Sequence, residues 1–145
     1  MFQPTRDEAR RFFIEAWQKH REGLPLSPLE SIAADCIGQH PEYHALLEAG
    51  EDALGREFTP EAGQENPFLH LGLHLGLIEQ IRIDQPPGIR EAWAALCQAC
   101  SDTHAAAHLA IEALAETLWE AQRAQQPPSN AAYLARLQNA AQRPR

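Results

Sequence analysis

The sequence predicts an all-α protein, a bundle of about five to six helices with an N-terminal helical pair packed on a central pair. Three observations carry this. Apolar residues recur at i, i+3, i+4 and i+7 in several stretches separated by Pro and Gly. Helix-start signatures precede those stretches. The chain contains no Val, and no segment alternates polar and apolar with period 2, so nothing reads as a strand.

Each element has its own justification. Thr5 and Glu8 have the spacing of a capping box, and Ala9, Phe13 and Trp17 then mark one face of a first helix that stops near Gly23. Ser27-Pro28-Leu29-Glu30 is a second capping box with proline at the favoured first position, followed by the Leu29, Ile32, Ala33, Cys36, Ile37 stripe. Pro41 pushes His40 out of helical geometry and opens a short third helix ending at Gly50. Residues 51–66 are polar and rich in turn formers, and are expected to be mostly loop. Asn66-Pro67 starts a helix to about Asp84, apolar nearly all round and therefore central. After the Gln85–Gly88 turn, a helical pattern runs from Ile89 to about Ala124, as one helix or as two broken near Ser101-Asp102. Gln126-Pro127-Pro128 ends it. A final amphipathic stretch, Ala131–Ala141, lies within a C-terminal appendage, 126–145, of what is expected to be a single domain, 1–145.

Composition narrows the function classes. Lys and Arg number 12 against 20 Asp and Glu, a net charge of −8, which argues against a general nucleic-acid binder. No apolar run approaches the ~18 residues of a membrane span, and MFQPTRDEARR has no signal-peptide core, so a cytoplasmic protein is expected. Three cysteines suit a reduced compartment better than a disulfide scaffold.

The chemical signal is histidine, 7 residues in 145. His40/His44, His70/His74 and His104/His108 are spaced one helical turn apart, as two imidazoles holding one ion from one side must be. With His104 at 0°, His108 lies at about 40°, Ile111 at about 340°, Leu118 at about 320° and Trp119 at about 60°, so the pair points with the apolar stripe. His70 shares its face with His74, Leu77, Ile78 and Ile81 in the same way. His70, His74, His104 and His108 are thus the candidate metal ligands. Glu112, at the flank of the stripe, is an auxiliary ligand or an orienter of one. Zn, Fe, Ni or Mn are the candidate ions. An equally open reading is a set of buried histidines that only hydrogen-bond, with no cofactor. His40 and His44, with Pro41 between them, are expected to play a local structural part, His40 as a cap.

Other motifs are less specific. The metalloprotease pattern HExxH is absent, the pairs reading HPEYH, HLGLH and HAAAH. Cys97-Gln98-Ala99-Cys100 is a lone CxxC within a helical pattern, and reads as two small core residues rather than a zinc ribbon. Trp17, Trp93 and Trp119 fall on apolar stripes and are expected in the core.

Three segments together resemble a proteobacterial family of unknown function, domain-of-unknown-function family number 1841. They are HPEYH (His40–His44), NPFLHLGLH running on to EQIRIDQPPGI (Asn66–Ile89), and LWEAQR (Leu118–Arg123). The resemblance extends from about Leu26 to Tyr133 and marks the histidine-bearing segments as family hallmarks. In architecture the paired-histidine helices are similar to DinB-like and hemerythrin-like bundles, a likeness of fold only.

The expectation is therefore a helical-bundle protein that binds a transition metal through its paired histidines. Whether it is an enzyme is left open. The competing expectation is a non-catalytic adaptor bundle, with a protein partner or a second copy docking on an exposed apolar patch around Tyr133, Leu134 and Leu137.

Overall fold

Both capping boxes form as their spacing predicts. Thr5 accepts from the Glu8 amide and Ser27 from the Glu30 amide, while each glutamate reaches back to the amide of its cap. These starts define α1 (Arg6–Glu22) and α2 (Pro28–Gly38). Gly23 ends α1 with φ 71°, a left-handed conformation that glycine adopts without Cβ strain. The structure is a computed structural model that describes residues 5–56, 58 and 66–143.

A 3-10 turn, Pro41–Tyr43, follows α2 and leads into α3 (His44–Glu48) and α4 (Glu51–Leu54). Then come α5 (Pro67–Ile83), α6 (Ile89–Ala99), α7 (Thr103–Ala124) and α8 (Asn130–Gln142). Among the described residues there is no strand, so the all-α class holds. The helix count exceeds the expected five to six because the stretch after Pro41 breaks into short pieces. Gly50, at φ 63°, separates α3 from α4, and α4 occupies the start of the segment expected to be loop. Residues 57 and 59–65 of that segment lie outside the described residues. The question at Ser101-Asp102 resolves as two helices, because the Asp102 carboxylate accepts from the Ala105 amide at 2.7 Å and starts α7 afresh.

The chain forms two compact units, Met1–Leu75 and Gly76–Arg145. In the first, α1 packs on α2, α3 and α4. Its buried residues include Phe13, Ala16, Trp17, Ala33, Ile37 and Leu47. Arg10 is buried as well. Its Nη1 donates to the carbonyls of Ala53, Leu54 and Arg56 at 3.3, 2.9 and 2.7 Å, and its guanidinium lies 5.0 Å from the Phe68 ring centroid. One cation thus gathers carbonyls at and just beyond α4, the end of a helix where the negative pole of its dipole lies.

In the second unit α6, α7 and α8 pack on one another, burying Ile89, Leu96, Ala110, Ile111 and Leu137. Arg90 joins α6 to the end of α5, donating to the carbonyls of Ile81 and Arg82. Arg136 of α8 donates to Thr117 Oγ1 at 2.7 Å and pairs with Glu120 of α7. Tyr133 is buried and donates its hydroxyl to Gln80 Oε1 at 2.7 Å. With Tyr133 and Leu137 both buried, α8 has no exposed apolar patch at the position expected for docking. The exposed apolar residues of this unit include Leu118 and Trp119 on α7. Trp119 corrects the expectation of a core tryptophan: it is 56 % exposed, with the Arg123 guanidinium 4.5 Å over its ring. Helical phase gives the direction of a side chain but not the width of the buried stripe, and Trp119 falls beyond its edge. No helix among the described residues is long and apolar enough to cross a membrane.

Candidate metal centre

The centre begins at the end of α2. The last carbonyls of a helix have only loose i+3 amide partners, here Gln39 N–H on Cys36 O and His40 N–H on Ile37 O. The two histidines of HPEYH add a second bond to each. His40 Nδ1 donates to the Cys36 carbonyl at 2.7 Å, and His44 Nε2 donates to the Ile37 carbonyl at 2.9 Å. Both bonds exist because Pro41 turns the chain. His40 sits at φ −127°, ψ 68°, outside helical geometry, so its ring folds back on the turn it has just left.

The two rings then go different ways. His44 packs on Trp17, with ring centroids 4.4 Å apart, and Trp17 donates its indole N–H to Glu48. His40 is 2 % exposed and presents Nε2 to α5. Because Nδ1 carries the proton given to Cys36, Nε2 of a neutral ring carries the lone pair. Backbone orientation of this kind is how proteins fix a metal-binding imidazole.

Along α5, His70 and His74 are one turn apart, as their spacing predicts. Their Nε2 atoms lie 3.1 Å apart, and His70 Nε2 lies 3.2 Å from His40 Nε2. The ligand nitrogens of all three residues fall within 4.8 Å of one another. Three ring contacts hold the geometry: His40 edge-on to His70 at 5.0 Å and to His74 at 4.8 Å, and His70 edge-on to His74 at 4.8 Å. Tyr43, buried, stacks parallel on His40 at 5.3 Å and meets His70 edge-on at 5.9 Å.

These distances have a chemical consequence. His70 Nε2 faces two other ring nitrogens, and a single proton on it can make a linear hydrogen bond to only one of them. One ion can satisfy all three. Ligand nitrogens ~2.0–2.1 Å from a tetrahedral ion stand about 3.3–3.4 Å from each other, close to the two short separations seen here.

Of the residues nominated from sequence, His70 and His74 come together in the first unit, and His104 and His108 in the second, with ring centroids 4.2 Å apart. Glu112 is exposed on α7. His40 is the residue the sequence undervalued. The proline argument took it off the helix face and gave it a local part as a cap, but could not show that its second nitrogen reaches α5, 30 positions along the chain. The motif HPEYH, already conspicuous, was the available signal.

Fold and site together define a helical protein with a histidine cluster suited to a metal ion. The chain belongs to the family described as a domain of unknown function, DUF1841, whose profile matches residues 5–139. No curated protein and no solved structure matches the chain.

Proposed function

We propose that this protein binds one transition-metal ion, with Nε2 of His40, His70 and His74 as ligands. The observation that carries the reading is the meeting of three ring nitrogens around His70, with separations of 3.1 and 3.2 Å. The preset lone pair of His40 and the burial of His40 and His74 support it. An all-imidazole donor set suits Zn, Ni or Fe, and suits Mn less well, since that ion favours carboxylate and carbonyl oxygen. Three protein ligands leave a position for water or a substrate group, the pattern of zinc sites that do chemistry. The expectation from sequence that His104 and His108 ligate, with Glu112 in support, is proposed as the alternative ligand set and is tested separately by His108→Ala, which should cost metal only if that set applies.

The second reading is a structural hydrogen-bond network, for which the same separations lie within or at the edge of hydrogen-bonding range. Elemental analysis of protein purified without an affinity tag discriminates them. Near-stoichiometric metal that is lost in His70→Ala is the expected result. Metal-free protein that gains no thermal stability from added Zn, Ni, Fe or Mn would overturn the proposal in favour of the network.

A further inference from the structure

Cys97 and Cys100 are left outside the metal centre, and the structure changes what they mean. They are not the buried core pair that the helical pattern suggests. Both are free thiols with partial solvent exposure, in contrast to Cys36, which is buried. Their position is also unusual. Helix α6 ends at Ala99, and Cys100 is its C-cap, its amide still bonded to the Leu96 carbonyl while its own backbone is extended at φ −99°, ψ 157°. The Cα atoms of residues i and i+3 on a helix are about 5 Å apart, inside the span a disulfide bridges. In a regular helix the Cβ atoms at that spacing are still too far apart, at about 5–6 Å against the ~3.5–4.5 Å that a disulfide needs. A residue inside a helix could not close the gap without breaking hydrogen bonds on both sides. Cys100 can, because it is the last residue tied to the helix, and the Ser101–Asp102 joint follows it directly.

We infer that Cys97 and Cys100 form a reversible dithiol–disulfide site that reacts with hydroperoxides. Burial and the neighbouring Cys100 push the Cys97 thiol up, which suits Cys97 to the second step rather than the first. The Cys100 thiol gives up its proton and the thiolate attacks the hydroperoxide. The O–O bond breaks, and the alkoxide takes up that proton and leaves as an alcohol, with Cys100 now a sulfenic acid. Cys97 then gives up its proton and attacks the Cys100 sulfur, the S–O bond breaks, and water leaves. Two thiols have lost two electrons and two protons, and the hydroperoxide has become alcohol and water. The closure strain makes the bond a labile one that external thiols reopen, not a permanent staple.

The test is hydrogen peroxide treatment of the full-length protein, followed by alkylation and peptide mass spectrometry. The expected product has one Cys97–Cys100 disulfide, a mass loss of two hydrogens, and Cys36 still alkylated, all reversed by dithiothreitol. Buried Cys36, its thiol pushed up to about 11, is the internal control. Cys97→Ser is expected to stop at a sulfenic acid on Cys100 that dimedone captures, with no disulfide. Three alkylatable thiols after treatment, a bond involving Cys36, or oxidation of wild-type Cys100 to sulfinic acid without a disulfide would each overturn the inference. The proposed metal ligands are unchanged in both proteins.

Discussion

The His40 ring donates Nδ1–H to the carbonyl of Cys36, 2.7 Å away and four residues earlier, and so turns Nε2 toward His70. One hydrogen bond therefore does two things. It gives a carbonyl at the end of α2 a second donor beside the Gln39 amide, and it selects the tautomer whose lone pair faces the other two imidazoles. A helix-end cap and a proposed metal ligand are here the same side chain.

Adding Zn to metal-free protein should raise its melting temperature. At free metal of about 100 Kd, binding adds about 2.7 kcal/mol, roughly 5–10 °C for a chain of this size. His40→Ala and His70→Ala should abolish the shift. His44→Ala should retain it from a lower baseline, because His44 gives its Nε2–H to Ile37 and packs on Trp17 instead. Differential scanning calorimetry with and without Zn reads all three.

Tyr43 should act on metal affinity through ring orientation. Tyr43→Phe keeps the stack on His40 and should bind Zn as the wild type does. Tyr43→Leu removes the parallel ring at 5.3 Å and should weaken Zn binding by about 10-fold, within the range for residues that orient ligands. A competition titration against a chromophoric chelator measures the difference.

Arg10 should be among the costliest single polar positions in the first unit. Arg10→Met keeps much of the apolar stem but leaves the Ala53, Leu54 and Arg56 carbonyls without their shared donor. A loss of about 3 kcal/mol is expected, from the charged hydrogen bonds removed, although Ala53 O keeps the Arg56 amide and Arg56 O keeps Arg6 Nη2. The urea midpoint reports it.

Acid stability should depend on Glu30. Its hydrogen bond from Lys19, with the Ser27 amide second, holds the carboxyl below its ordinary value of 4.5. A carboxyl depressed in the folded state contributes stability above its ordinary value and loses it as pH falls through the folded one. The contribution is therefore present at neutral pH and disappears below about pH 4.5. Glu30→Gln keeps an acceptor for the Ser27 amide but removes the charge, so its stability should fall less steeply over that acid range. Denaturant midpoints measured from pH 6 down to the acid limit check the slope.

Alkaline stability should depend on Tyr133, whose burial pushes its phenol up to about 12. A raised folded value means full stabilisation below the ordinary value of 10.0, lost as pH rises from there toward about 12. Ultraviolet titration should show one tyrosine ionising only near pH 12. Tyr133→Phe should remove that late transition and cost about 1 kcal/mol, since Gln80 Oε1 loses its donor.

Local chemistry made much of this protein legible in its sequence. Thr5 with Glu8, Ser27 with Glu30, and Gly23 after α1 act within one or two turns of chain, so their spacing alone carried the message. The same is true of the shared face of His70 and His74, which helical geometry imposes on two residues four apart in one helix and which lets their rings meet. Tertiary structure decided what depends on distance through space. It exposed Trp119, whose helical phase looked inward, because phase does not fix how wide a stripe is covered. It brought Cys97 and Cys100 to a partly exposed helix end instead of a core. Above all it carried His40 to α5. A residue that proline takes out of a helix has a backbone direction the sequence does not specify, and only the packing of α2 and the 3-10 turn against their surroundings sets where its second nitrogen points.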